Sequence, residues 1–259
     1  MLVEANPILP GRWRRGPSRP LVLGHRGARH AAPENTLAAF ELARREGADG
    51  TELDVQLSSD GVAYVVHDLD LSRVTAGREP GEVRRMSSSA LDRVRVEGGE
   101  PIPRLEQILH WAHANGQLLN IELKTASARA DDVAEVVAKL LAEFRDAPEW
   151  ALVSSFHPRL LGKFRVRDTR VPSALIFSAR HAALFRLGWS EFLGYQALHP
   201  EASALLSSPI RKGLPGDACF NVWTVNDPDQ ARSLSALGVN ALISDCPGRI
   251  LSALGSDAS

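Results

Sequence analysis

The chain has 259 residues and a formal net charge of −1. That length accommodates one complete α/β barrel, typically ~250 residues, and the near-zero charge excludes the strong basic excess of a nucleic-acid binder. Cys219 and Cys246 form no CxxC pair and are too sparse for a disulfide scaffold or a thiolate zinc site, so both read as reduced, buried small residues.

Residues 1–20 carry Pro7, Pro10, Pro17 and Pro20 around a basic cluster of Arg12, Arg14 and Arg15. No apolar core follows, so the segment is not a secretory signal and reads as a flexible tail. No stretch approaches the roughly 18 apolar residues of a membrane span. The expectation is a soluble, cytoplasmic protein without stable membrane insertion or a nucleic-acid partner; its oligomeric state stays open.

From residue 21 a unit recurs: a short apolar strand, a polar turn, an amphipathic helix. Residues 21–24 are the first strand, and residues 34–47 a helix with Leu37, Phe40, Leu42 and Ala43 on its apolar stripe and Gly47 at its end. Strands follow at 52–57 and 62–66, joined by the turn Ser59-Asp60-Gly61. Residues 71–103 are polar and glycine-rich without periodicity, and read as an insertion near the mouth of the fold. A helix at 105–115, a strand at 117–123 and a helix at 131–145 restore the rhythm. Further strands are expected near 152–155, 172–177, 195–198, 219–225 and 241–244, with helices between.

Eight main strands alternating with helices predict a closed parallel (β/α)8 barrel over residues 21–252, with 62–66 as an extra hairpin partner and 253–259 as a C-terminal tail. An open doubly wound sheet is the alternative, but no G-x-G-x-x-G or phosphate-binding loop supports it.

Strand side chains alternate faces. In 52–57, Leu53, Val55 and Leu57 turn toward the helices, which directs Glu52, Asp54 and Gln56 into the barrel. In 119–124, Ile121 and Leu123 face out while Asn120, Glu122 and Lys124 face in. Barrel interiors are ordinarily filled by branched apolar residues, and ionised groups there are costly unless paired or metal-bound. Either carboxylate strand alone fits a structural ion pair with Lys124. Three inward carboxylates near strand C-termini instead predict a cation site, and all-oxygen ligation points to Mg2+ or Ca2+, with Mn2+ admissible.

His25 and Arg26 follow the first strand, and His67 and Asp68 follow the 62–66 strand. Two histidines at strand ends beside an acidic cluster fit an acid–base pair. Three carboxylates against Arg26 and Lys124 leave one negative charge, which a divalent cation turns into one positive charge, suited to a singly charged phosphodiester.

The ordered set His25-Arg26-Gly27, Pro33-Glu34-Asn35-Thr36, Glu52-x-Asp54, His67-Asp68 and Glu122-x-Lys124 resembles the glycerophosphodiester phosphodiesterase family. Later segments, Ser154-Ser155-Phe156, Trp223-Thr224-Val225-Asn226 and Ser244-Asp245-Cys246-Pro247, extend the resemblance across residues 21 to 252. It implies a TIM barrel, with hydrolysis of a glycerophosphodiester to sn-glycerol 3-phosphate and an alcohol. It assigns Glu52, Asp54 and Glu122 to one divalent cation, His25 and His67 to acid–base catalysis, and Arg26 and Lys124 to phosphate. Glu34 and Asn35 then support the first loop, with simple helix capping as the plain alternative. Trp223 would line a glycerol pocket and His199 would touch substrate, against ordinary burial for each. The rival activities are a lysophospholipase D sharing this centre and a barrel that binds phosphate esters without catalysis.

Overall fold

The structure is a computed structural model that describes residues 9–124, 131–181, 194–206 and 219–255. Its strands are β1 (Leu21–His25), β2 (Gly50–Leu57), β3 (Ala63–Val65), β4 (Leu118–Leu123), β5 (Ala151–Ser155), β6 (Ser173–Phe177), β7 (Ala197–Pro200), β8 (Cys219–Val222) and β9 (Ala241–Ser244). The described helices are α1 (Leu37–Arg45), α2 (Ser88–Leu91), α3 (Leu105–Ala114), α4 (Asp131–Ala142), α5 (Ala147–Trp150), α6 (Pro158–Arg167), α7 (Ala202–Leu206), α8 (Pro228–Ala236) and α9 (Pro247–Gly255).

All strands but β3 are parallel, in the order β1-β9-β8-β7-β6-β5-β4-β2, and β1 pairs with β2 to close the ring. The eight-stranded barrel is thus the predicted one, and β3 is the predicted extra strand, antiparallel to the upper end of β2. Helices bury one stripe each against it. On α3, Leu105, Ile108, Leu109 and Ala112 recur at helical spacing and are buried. On α1, Ala39, Phe40 and Ala43 do the same, and the ring of Phe40 meets Trp111 of α3 at 5.9 Å. The helix predicted at 34–47 begins later because Thr36 is its N-cap, its hydroxyl accepting from Ala39 N–H.

The irregular stretch 71–103 has a small core of its own. Leu71, Val74, Val83, Leu91, Val94, Val96 and Ile102 pack on Tyr64 and Val66 beside the β2–β3 hairpin. It therefore stands as a buttress at one side of the mouth.

Two expectations about the termini are corrected. Within the predicted flexible tail, residues 9–20 are packed, with Leu9 and Trp13 buried in the main core. Their polar groups reach the end of α8 and the loops that precede the strands: Arg15 NH1 donates to Ser235 O at 2.9 Å, Asn240 Nδ2 donates to Trp13 O at 2.9 Å, and Arg19 pairs with Asp49 at 2.6 Å. A proline-rich, arginine-rich segment lacks periodicity, yet its few apolar side chains close the N-terminal end of the barrel and its arginines satisfy loop carbonyls there. Residues 253–255, assigned to a C-terminal tail, instead end α9. Residues 1–8 and 256–259 lie outside the described residues.

Candidate active site

Strand register assembles the site. His25 of β1 lies opposite Glu52 of β2, and Asp54 of β2 lies opposite Glu122 of β4. All are at the C-terminal end of the barrel, where barrel enzymes place their chemistry. Ligand atoms of Glu52, Asp54 and Glu122 lie within 4.8 Å of one another, and all three residues are buried.

Electrostatics shows what this crowding does. Burial, then repulsion from Asp54 and Glu122, pushes the Glu52 carboxyl well above its ordinary value. Burial and Asp54 push Glu122 up to about 7 against the pull of Lys124. Burial works on Asp54 too, but Lys124, Arg26, His67 and the Asn35 amide together outweigh it and hold Asp54 below its usual value. Two of three carboxylates are thus reluctant to ionise beside the third. A divalent cation would relieve that repulsion, and an all-oxygen donor set this compact fits Mg2+, Ca2+ or Mn2+.

The cationic half is interleaved with the acidic one. Lys124 Nζ lies 2.9 Å from Glu122 Oε1 and 3.4 Å from Asp54 Oδ1. Arg26 Nε is 3.2 Å from Asp54 Oδ2, its NH1 is 3.1 Å from Glu34 Oε1, and its backbone N–H donates to Glu52 Oε2 at 3.0 Å. Burial opposes the charge on both cations, but the surrounding carboxylates outweigh it, so both stay charged.

The first loop is held in a demanding backbone. Arg26 and Asn35 both have left-handed φ values, 56° and 57°, which cost non-glycine residues about 1 kcal/mol or more. The two are tied together, Asn35 N–H donating to Arg26 O at 3.0 Å. Asn35 also exchanges a reciprocal pair of hydrogen bonds with Asp54, donating from Nδ2 at 2.9 Å and accepting from Asp54 N–H at 3.3 Å. Gly27, at φ 81°, lets this loop press on α1; a Cβ there would sit 2.6 Å from the Ala39 backbone. Glu34 receives Arg26, Arg29 and Arg73, so it braces the loop rather than capping the helix.

Each histidine has a carboxylate behind it. His25 Nδ1 is 2.6 Å from Asp245 Oδ1, and its Nε2 is 4.0 Å from Glu52. His67 Nδ1 is 2.7 Å from Asp68 Oδ1. A carboxylate at Nδ1 selects the Nδ1–H tautomer and turns Nε2 to the site. Asp245 is itself fixed by Asn226, which donates to its Oδ2 at 2.8 Å. The carbonyls of Val66, His67 and Asp68 all accept from the single Gln56 Nε2 at 2.8–3.1 Å, so the third inward residue of β2 anchors the His67 loop.

A cavity of about 260 Å3 opens onto these groups, with Asn120, Phe156, Ile176, His199, Trp223 and Ile243 as its further lining. An adjoining groove of about 540 Å3 runs past His67, Lys124, Leu69, Phe156 and His157. Trp223 donates its indole N–H to His199 O at 2.8 Å and meets Phe156 edge-on at 5.6 Å. The structure therefore brings all the predicted site residues together: Glu52, Glu122, His25, His67, Arg26, Lys124, His199 and Trp223 around the cavity, with Asp54 buried against Arg26 and Lys124 and with Glu34 and Asn35 behind them. Sequence reading gave no role to Asp245, Asn226, Gln56 and Arg73. Asp245 carried the clearest signal, a carboxylate directly after the last strand, which barrel closure sets beside the first.

The sequence profile of the glycerophosphoryl diester phosphodiesterase family matches residues 25–249. YhdW of Bacillus subtilis is 34% identical over 89% of this chain and 96% of its own length. A glycerophosphodiester phosphodiesterase of Bacillus altitudinis is 32% identical, covering 88% of this chain and 95% of that protein. Among solved structures, a phosphodiesterase of Oleispira antarctica in complex with the product sn-glycerol-3-phosphate superposes with a TM-score of 0.80 at 28% identity, over 92% of this chain and 97% of that one. Matched along nearly all of its barrel in both sequence and fold, this chain belongs to the glycerophosphoryl diester phosphodiesterase family and is an enzyme of that class.

Proposed function

We propose that the enzyme hydrolyses water-soluble glycerophosphodiesters to sn-glycerol 3-phosphate and an alcohol, with one divalent cation held by Glu52, Asp54 and Glu122 and with His25 and His67 exchanging protons. The observation that carries this reading is the three-carboxylate cluster flanked by two histidines, each backed by its own carboxylate. Bound there, Mg2+, Ca2+ or Mn2+ would act as a Lewis acid on phosphoryl and hydroxyl oxygens.

Arg26 and Lys124 bind the phosphoryl oxygens and offset charge that develops on them. The glycerol moiety occupies the cavity beside Trp223 and His199, and the departing alcohol leaves through the open groove. In the first half-reaction the glycerol 2-hydroxyl attacks phosphorus. One imidazole Nε2 accepts its proton, the other protonates the departing alkoxide, and a cyclic phosphate remains. Water then opens the ring with the roles exchanged: the imidazole that gave its proton takes one from water, and its partner returns a proton to the 2-oxygen. Each histidine thus serves once as base and once as acid. Asp245 and Asp68 hold the rings in the required tautomer throughout.

Among the described residues no helix is long and apolar enough to cross a membrane. We assign the reaction to the cytoplasm and to turnover of glycerol-containing lipid fragments. A second reading, hydrolysis of a lysophospholipid, draws on the open groove, where Leu69 and Phe156 are exposed. Release of sn-glycerol 3-phosphate from glycerophosphocholine, assayed with Mg2+, Ca2+ and Mn2+ and with EDTA, tests the first reading. Turnover undiminished in EDTA would remove the cation from it, and faster turnover of a monoacylated substrate would favour the second.

A further inference from the structure

Behind the charged groups runs a chain of neutral polar side chains that the reaction above does not use. It begins in the N-terminal segment. Arg15 backbone N–H donates to Asn240 Oδ1 at 2.8 Å, and Asn240 Nδ2 donates to Trp13 O at 2.9 Å. Those two contacts fix which end of the Asn240 amide is which, because a backbone N–H only donates and a carbonyl only accepts. Asn240 Nδ2 also donates to Asn221 Oδ1 at 2.7 Å, which orients the second amide and leaves Asn221 Nδ2 facing His199 Nε2 at 2.8 Å. An amide NH2 cannot accept, so His199 Nε2 must be the bare, accepting nitrogen and the proton must reside on Nδ1. His199 is 1% exposed and Asn221 fully buried, so water has little access with which to break the relay.

We propose that residues 13–15, acting through Asn240 and Asn221, lock His199 as a neutral Nδ1–H donor that binds a neutral oxygen of the substrate, a hydroxyl or ester oxygen rather than a phosphoryl one. His199 Nδ1 is buried and has no partner among the described residues, and His199 is one of the residues that line the cavity. Asn120, on the same cavity, is likewise without a partner at both Oδ1 and Nδ2. Buried polar groups left so are expensive unless a ligand or water completes them. Burial pushes the His199 imidazole down to about 3, which removes it as an acid–base group at neutral pH and leaves only the donor role. Asn221 and Asn240 are thus positioning residues, and the segment that closes the bottom of the barrel sets the chemistry of the pocket at its top. The tautomer half of the proposal is independent of the assigned activity; the ligand half rests on the glycerophosphodiester reading.

The test is 15N NMR of the imidazoles in the intact protein, with the His199 signals identified by their loss in His199→Gln. The expected result is a protonated Nδ1 and a bare Nε2; a bare Nδ1 in the wild type overturns the relay. Addition of sn-glycerol 3-phosphate should move the Nδ1 and Nδ1–H resonances, and no movement overturns the donor role, leaving water alone as the partner. Asn221→Asp replaces the NH2 donor by an acceptor, so the tautomer should invert. KM for glycerophosphocholine should then rise about tenfold with kcat within about twofold. An unchanged tautomer, or a fall in kcat with KM unmoved, overturns the positioning role of Asn221. Hydrolysis of glycerophosphocholine by a wild type carrying the opposite tautomer sinks the relay alone. The expected tautomer in a protein that releases no sn-glycerol 3-phosphate sinks the substrate reading alone.

Discussion

The two halves of the pocket are built on opposite principles. On one side Arg26, Glu52, Asp54, Glu122 and Lys124 compress five ionisable groups into interlocking contacts of 2.9–3.4 Å, so both cations are paired with carboxylates before any ligand arrives. The neutral lining, Asn120 next to Glu52 and His199 on β7, has buried polar atoms with no partner among the described residues. The charged half is preorganised for an anion and a cation, and the neutral half keeps hydrogen-bonding capacity open. A phosphodiester of glycerol has both characters, a compact charge and adjacent hydroxyl oxygens, and the division of the pocket mirrors it.

That contrast can be broken from the charged side first. Glu122→Gln keeps the shape of β4 but removes the charge of one proposed ligand, and should lower kcat/KM by roughly 10³-fold, about 4 kcal/mol of transition-state stabilisation. Retention of wild-type turnover at saturating Mg2+ would separate the carboxylate cluster from the reaction. His25→Ala and His67→Ala should each lower kcat by about 10²–10⁴-fold with the fold intact by circular dichroism. In the proposed exchange of roles, the double variant should be little worse than either single one. Asp245→Asn should have a smaller effect, about 10–100-fold in kcat, because it acts through the orientation of His25 rather than on the substrate; an unchanged rate would show that His25 is oriented without it.

The neutral half is sharpened by stability rather than rate. His199 is fully buried, and its folded-state value of about 3 lies below the ordinary 6.5. Below pH 6.5 the unfolded chain takes up a proton that the folded chain refuses, so the stabilising difference is intact above 6.5 and is lost progressively as pH falls toward 3. The expected slope is about 1.4 kcal/mol per pH unit from this group. Urea unfolding at pH 7 and pH 5, in wild type and His199→Gln, isolates it: the variant should show a correspondingly weaker acid sensitivity, and equal sensitivity would remove His199 as its source.

How much could be read in advance differs between these halves. Glu52, Asp54, Glu122, His25 and His67 were legible because charged residues in an apolar strand violate the pattern around them, and the strand period of two says which way they point. Asn221 and Asn240 violate nothing visible in one dimension, since asparagine at a strand end is unremarked. The same limit applied to residues 9–20: prolines and arginines read as solvated tail, and only the packed position of Trp13, with no exposed surface, shows the segment as part of the core.

The sequence alone thus determined the number of strands, the barrel they form and the inward set of carboxylates, because hydrophobic periodicity is a local property and each violation of it is local too. The tertiary structure decided which groups meet across the ring. Asp245 follows the last strand and His25 ends the first, 220 positions apart, and only closure between β9 and β1 brings them to 2.6 Å. The relay from Trp13 to His199 likewise joins a segment before the first strand to Asn240 before β9, Asn221 on β8 and His199 on β7. Hydrogen bonds of that kind depend on distance and direction in space, which the order of residues along a chain does not carry.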